Sequence, residues 1–359
     1  MTSARLRKAA ARLASVATLA VLAFPVLATG AASADPVFDK NDVLAKVTAP
    51  DGSYISQTYT FQNAAFAQNR GLAIFVHSTA MNLDIPVEVQ RPDDVSAPRP
   101  VLYLLNGGGG GEDGATWQLR TDVMKFLGDK KVNVVTPIGG KFSYYTDWQS
   151  PDPVLGVNKW KTFLTEELPP IINAALGTNG KNAIAGLSTS GTTVLQLPEQ
   201  APGLYQSAAA YSGCAQMSDP LGQTAVRATI DLWSKGGNSD NMYGPPGDPL
   251  WAENDPVLHA DKLRGVALYI SSGNGVPGKY DVMNGPYMQP GVAGYAAQTG
   301  LGGGIESVTD YCSHNLQQRL NALNIPATFH FPPYGTHSWG YWQDELKNSW
   351  PVLSAPLGI

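Results

Sequence analysis

Three short stretches of the chain carry residues that together could move an acyl group. The first is Ala183-Ile184-Ala185-Gly186-Leu187-Ser188-Thr189-Ser190-Gly191. An apolar run enters a turn of small residues with Ser188 at its apex, and a helical pattern starts at Thr192. A serine on such a strand-to-helix turn presents its hydroxyl as a nucleophile. Small residues two before and two after it, here Gly186 and Ser190, relieve the crowding. The second stretch is Asn106-Gly107-Gly108-Gly109-Gly110-Gly111, which follows the apolar run Val101–Leu105. Glycines let main-chain N–H groups approach a ligand. Amides from such a loop and from the residue after the nucleophile can hold a tetrahedral oxyanion, which assigns the Gly108 and Thr189 N–H groups. No Gly-Lys-Ser/Thr follows, so a nucleotide-phosphate loop is disfavoured. The third stretch is Tyr334-Gly335-Thr336-His337-Ser338-Trp339. His337 is the candidate general base, because it alone of the five histidines lies past the last apolar run in a Gly-flanked loop. His77 and His330 sit inside strand-like runs, and His259 and His314 in polar stretches before the last one. The orienting acid should lie between nucleophile and base. Asp281, Glu306 and Asp310 all qualify. Chain order slightly prefers Asp281, and the residues alone leave the three open.

These groups need a rigid scaffold. Apolar runs of three to five residues recur at Val101–Leu105, Val132–Val135, Ala183–Ala185, Ala208–Tyr211, Ala267–Ile270 and Ala327–Phe331, bounded by Gly, Pro or Asn. Such runs suit strands buried on both faces. Residues 35–95 are strand-rich, with Ile74–Val76 and Ile85–Val89. Residues 160–175 place Trp160, Phe163, Leu164, Leu168, Ile171 and Ile172 at mostly helical spacing, and residues 315–324 put Leu316, Leu320 and Leu323 on one face. Strands alternating with helices predict a mostly parallel central sheet with helices on both faces, the α/β-hydrolase fold. Residues 214–265 and 273–305 are rich in Gly, Pro, Asn and Asp and read as long excursions from the sheet.

Composition narrows the class. Only 15% of residues are charged, which excludes a charge-driven disordered chain or a coiled coil. Residues 1–34 read as a secretory leader. Arg5, Arg7, Lys8 and Arg12 precede an apolar run from Leu13 to Ala28, and Ala32-Ser33-Ala34 offers a small-x-small cleavage site. Cleavage after Ala34 leaves a single domain, residues 35–359, with 20 Lys+Arg against 29 Asp+Glu. No basic cluster remains, so nucleic acid is not expected as a partner, and no later segment is apolar for long enough to span a membrane. Export to an oxidising compartment and an even cysteine count predict a Cys214–Cys312 bridge. No Cys/His cluster has zinc spacing, so neither metal nor cofactor is expected.

The chain resembles the secreted mycolyltransferases of mycolate-containing actinobacteria, the antigen 85 complex and its corynebacterial relatives. The resemblance rests on Val101–Gly107, Thr136-Pro137-Ile138-Gly139-Gly140 leading to Tyr145-Thr146-Asp147-Trp148, Lys159–Pro169, Gly186-Leu187-Ser188, Trp251–Pro256 and Phe331–Trp339. These blocks span about 100–345 in order. The resemblance implies Glu306, in Gly304-Ile305-Glu306-Ser307, as the acid, with Ser188 as nucleophile and His337 as acid–base. It implies transfer of a mycoloyl group from trehalose monomycolate to a second trehalose monomycolate, giving the dimycolate, or to the arabinan of arabinogalactan.

The mycobacterial members have Asp-Gly-Leu-Arg where this chain has Asn106-Gly107-Gly108-Gly109, a glycine-rich version typical of the corynebacterial branch. Asn106, Gly109 and Trp339 are the candidate substrate contacts. Trp148 and Trp251 are balanced between a substrate wall and the core. The Cys214–Cys312 pair resembles the corynebacterial arrangement, the short mycobacterial disulfide loop near Asp152-Pro153-Val154 is missing, and the fibronectin-binding segment after Val123 is absent. Two other classes share the scaffold: a secreted carboxylesterase, which passes the acyl group to water, and a catalytically silent envelope-binding protein.

Overall fold

The apolar runs become strands. A computed structural model describes residues 38–40, 47–61 and 71–359; the expected leader over residues 1–34 lies outside the described residues. The strands are β1 (Phe38–Lys40), β2 (Tyr54–Phe61), β3 (Gly71–Ser78), β4 (Leu83–Gln90), β5 (Val101–Leu105), β6 (Asn133–Pro137), β7 (Asn182–Leu187), β8 (Ser207–Tyr211), β9 (Ala267–Ser271) and β10 (Thr328–His330). They form one sheet in the order β1-β2-β3-β4-β6-β5-β7-β8-β9-β10. From β6 to β10 every pairing is parallel, while β1 to β4 add an antiparallel flank joined through β4 to β6.

Burial on both faces explains why the central strands lack polar alternation. In β5, Val101, Tyr103 and Leu105 enter one apolar cluster, and Leu102 and Leu104 enter another on the opposite face. The first cluster is completed by helices α1 (Leu168–Leu176), α2 (Thr189–Gln200) and α3 (Gly303–Ala322), through Ile171 and Ile172, Val194 and Leu195, and Leu316 and Leu320. The second is completed by α4 (Trp339–Ser354), through Trp342, Leu346 and Leu353. Helices therefore cover both faces, as the alternation of runs predicts.

The helical pattern over 160–175 is real but not uniform. Residues Phe163–Glu167 form a π turn, in which the Leu168 N–H donates to the Phe163 carbonyl. Pro169 and Pro170 follow at once, and a proline cannot supply the N–H that an α register needs there. Glu167, at the end of that turn, is buried, and accepts from Ser78 Oγ (2.5 Å) and from the Ala80 N–H (2.8 Å). It fastens the helix to the β3–β4 hairpin.

The excursion over 214–265 folds into short helices over its own small core. Trp148 and Trp251, each 1% exposed, sit there with Met217, Ile230, Met242 and Tyr243. That settles their balance in favour of packing. No helix among the described residues is long and apolar enough to cross a membrane.

Cys214, just after β8, is bonded to Cys312 of α3 across 98 residues of chain. The bond ties the helix that carries Glu306 to the centre of the sheet. Reduction should lower stability by up to about 4 kcal/mol in the chain-entropy model. Thermal unfolding with and without reductant measures this, and an unchanged Tm would remove the bond from the stabilising contacts.

A second prediction concerns Glu199 in the last turn of α2. It is 5% exposed, its Oε1 has no hydrogen-bond partner among the described residues, and burial pushes its carboxyl up to about 9. A carboxyl raised in the fold holds its proton more tightly than in the unfolded chain. Its stabilising contribution is complete below the unfolded value near ~4.3 and is lost as pH rises toward about 9. Glu199→Gln should therefore raise Tm at pH 8, by about 2 °C per kcal/mol recovered, and leave it nearly unchanged at pH 4. Equal shifts at both pH values would contradict the assignment.

Candidate active site

Ser188 sits between β7 and α2 with φ 57° and ψ −123°. A non-glycine residue at positive φ is strained and persists only where its surroundings over-determine it. Here the Ser188 N–H donates to the Tyr211 carbonyl of β8 (2.9 Å), and the Gly191 N–H donates to the Ser188 carbonyl (2.9 Å). Gly186 is required, because a Cβ there would lie 2.5 Å from Ser190 Oγ. Ser190 is fully buried, accepts from the Leu187 N–H (2.9 Å) and donates to the Leu187 carbonyl (2.9 Å). The serine thus braces the turn where a glycine would leave space.

His337 reaches this hydroxyl from the loop between β10 and α4. Its Nε2 lies 2.9 Å from Ser188 Oγ, and its Nδ1 lies 2.8 Å from Glu306 Oε2. A carboxylate oxygen accepts, so Nδ1 carries the proton in this pair and Nε2 is left free to take one from Ser188. The edge of the imidazole packs against Trp342, with ring centroids 4.8 Å apart.

Glu306 is 1% exposed in the first turn of α3. Its other oxygen, Oε1, accepts from Ser212 Oγ (2.7 Å), Ser272 Oγ (3.2 Å) and the Gly273 N–H (2.8 Å). Trp342 Nε1 in turn donates to Ser212 Oγ (2.9 Å). The other two carboxyl candidates go elsewhere. Asp310, one turn along α3, pairs with His314 (3.3 Å). Asp281, slightly favoured by chain order, binds Thr336 and Tyr341 instead of the imidazole.

The glycine loop lies beside the nucleophile. A Cβ on Gly107 would lie 3.4 Å from Ser188 Cβ, and one on Gly108 would lie 3.7 Å from Thr189 and 3.9 Å from Phe142. Gly110, at φ 62°, packs so closely on Gly139 that a Cβ would lie 2.3 Å from its carbonyl oxygen. The Gly139 N–H donates to the Gly110 carbonyl (2.9 Å) and the Phe142 N–H to the Gly108 carbonyl (2.7 Å). These bonds, with the Lys141–Glu112 ion pair (3.3 Å), fasten the glycine run to the 139–145 loop. A run of glycines alone suggests a floppy segment; here it is clamped. Among the described residues, neither the Gly108 N–H nor the Thr189 N–H has a protein acceptor.

The substrate-contact expectations fare unevenly. Asn106 is fully buried; its Oδ1 accepts from the Trp117 N–H (3.3 Å) and its Nδ2 packs under Gly111. It holds the start of the loop, and its Nδ2 has no hydrogen-bond partner among the described residues. Gly109 is half-exposed, with the Asp113 carboxylate where a side chain would go. Trp339 is half-buried, edge-on to Trp117 and Trp342. Ser212 and Ser272, which donate to Glu306, and Trp342, which packs on His337 and donates to Ser212, carry no mark in the motifs. Only Trp342 left a signal: three residues after Trp339, it shares that residue's helical face.

The family model described as "Putative esterase" matches residues 78–352. Mycobacterium avium Ag85B, named a diacylglycerol acyltransferase/mycolyltransferase, is 31% identical over 291 residues, covering 79% of this chain and 82% of the relative. Ag85A of Mycobacterium tuberculosis strain H37Rv, named likewise, is 31% identical over 291 residues, covering 79% and 80%. The crystal structure of Mycobacterium tuberculosis MPT51 (FbpC1) superposes with a TM-score of 0.64 at 26% identity, covering 79% of this chain and 97% of that one. Substrate-bound FphF, a fluorophosphonate-binding serine hydrolase of Staphylococcus aureus, shares the fold with a TM-score of 0.57 at 18% identity, covering 80% and 98%. With its strained serine, buried carboxylate and clamped glycine loop on this sheet, the chain belongs to the antigen 85 mycolyltransferase family.

Proposed function

We propose that this chain is an exported serine-dependent acyltransferase that moves a mycoloyl group between sugar hydroxyls through an ester on Ser188. The observation that carries the reading is the hydrogen-bonded series Ser188–His337–Glu306 beside two main-chain amides without protein acceptors.

The reaction runs in two halves. His337 Nε2 takes the Ser188 proton as Oγ attacks the ester carbonyl of trehalose monomycolate. The N–H groups of Gly108 and Thr189 hold the resulting oxyanion. Collapse breaks the ester C–O bond, and His337 returns the proton to the departing sugar oxygen. Glu306 keeps the imidazole in the required tautomer and stabilises its protonated form. In the second half, His337 deprotonates a hydroxyl of another trehalose monomycolate or of cell-wall arabinan, which attacks the acyl-enzyme and frees Ser188. Half-exposed Trp339 and Gly109 lie where an incoming sugar would pass. Residues 1–34 act as the export leader, and the Cys214–Cys312 bond supports an oxidising destination.

Mass spectrometry after incubation with trehalose monomycolate should show one mycoloyl group on Ser188 and none on the Ser188→Ala variant. Full activity in that variant would end the proposal. Trehalose dimycolate should form; free mycolic acid alone would assign water as the acceptor and make the chain an esterase. Glu306→Gln, which keeps the shape but disturbs the tautomer, should lower kcat by a factor approaching ~10⁴ with little change in KM. A loss under about tenfold would remove Glu306 from that role.

A further inference from the structure

Asp281 is the carboxylate that the triad does not use, and it is 6% exposed. A buried carboxylate persists only where donors converge on it. Four do so here, none a cation. Asp281 Oδ1 accepts from Thr336 Oγ1 (2.5 Å) and Gln298 Nε2 (2.7 Å), and Oδ2 accepts from Tyr341 Oη (2.6 Å) and the Gly278 N–H (2.8 Å). These donors come from four segments: the turn over 278–281, the π turn Ala297–Gly302, the loop carrying His337, and α4.

The contacts close a ring. Thr336 is fully buried and immediately precedes His337. The His337 N–H donates to the carbonyl of Gly302 (3.3 Å), the last residue of the π turn that also holds Gln298. From Asp281 the path runs through Gln298 and the π turn to Gly302, across to His337, and back through Thr336. Four residues beyond Gly302 stands Glu306. One carboxylate thus sets the separation between the segment that supplies the imidazole and the segment that supplies its acid partner.

We infer that Asp281 is a positioning residue for His337, acting through Thr336 and Gln298 to hold the imidazole on the line between Ser188 and Glu306. This inference rests on the reading of His337 as the acid–base. Proton transfer needs heavy atoms within hydrogen-bond reach, and a misplacement near 1 Å can cost ~10²-fold in rate.

The test uses Asp281→Asn, Thr336→Val and Thr336→Ser, with a fluorophosphonate probe as active-site titrant and trehalose monomycolate as substrate. Asp281→Asn and Thr336→Val should reach full labelling amplitude with unchanged KM, but their labelling rate and kcat per titrated site should fall ~10–100-fold. Thr336→Ser, which keeps the hydroxyl donor, should return both rates to near the parent values. A purely structural role would instead lower the amplitude and leave the rate per site intact, and that result overturns the inference. Wild-type rates in Thr336→Val overturn it as well. If Asp281→Asn does not fold, Thr336→Val alone decides, since it removes one bond at constant shape. His337→Ala separates the two levels. Wild-type activity there sinks the reading of His337 itself. An inactive His337→Ala beside a wild-type-like Thr336→Val sinks only the role of Asp281.

Discussion

A carboxylate 1% exposed to solvent is the constraint around which this molecule is organised. Taking Glu306 out of water is tolerable only if both its oxygens find donors. The fold meets that demand with four donors from three directions: the end of β8 through Ser212, the end of β9 through Ser272 and Gly273, and the last loop through His337. Each of these segments lies at the C-terminal end of a parallel strand, where main-chain groups leave the sheet unpaired and loops from neighbouring strands meet. The sheet order β7-β8-β9-β10 places them side by side. The imidazole is oriented because its acid partner has no freedom to turn.

Ser188, the proposed nucleophile, is held by a different device. Ser188 lies at positive φ, a conformation that costs ~1–3 kcal/mol for a residue with a side chain. The cost is met by burial of the flanking turn and by main-chain bonds to β8 and α2. On its far side the glycine loop is fixed by bonds to the 139–145 segment, where Phe142, Tyr144 and Tyr145 also take positive φ. Positive φ thus recurs in the turn that carries the hydroxyl and in the segment that clamps the glycine loop beside it.

Much of this was legible in the residues. Val101–Leu105 is β5 to the residue, and the runs beginning at Val132, Ala183, Ala208 and Ala267 start within one residue of their strands, because a strand covered on both faces must be apolar throughout. Ser188 and His337 were legible from their place relative to those strands. Glu306 was not, short of a family resemblance. It lies in a helix that starts with Gly303-Gly304, weak helix formers, so the helical pattern could be read only from residue 315 onward and the acid fell between that pattern and the excursion ending at 305. Asp281 looked better by distance along the chain, which says nothing about which way a long loop returns. Trp148 and Trp251 were ambiguous because an aromatic ring serves a satellite core and a substrate wall equally well. Asn106 shows what a polar side chain beside a glycine run leaves open: its oxygen is taken by the Trp117 amide, a use that its place in the chain does not reveal.

The two long excursions have a consequence for how such a protein diversifies. Neither 214–265 nor 273–302 contributes a strand, so apart from the Gly273, Asp281, Gln298 and Gly302 contacts both stand outside the register that sets the distances among hydroxyl, imidazole and carboxylate. Each is moored to the framework at a few points, such as the Cys214 carbonyl, which accepts from Thr192 Oγ1 of α2, and the Gly302 carbonyl under His337. Insertions and deletions between those moorings change the contour of the surface a substrate meets while leaving the reacting atoms where they are. Such a molecule can acquire new clients by editing its periphery, with its chemistry inherited intact.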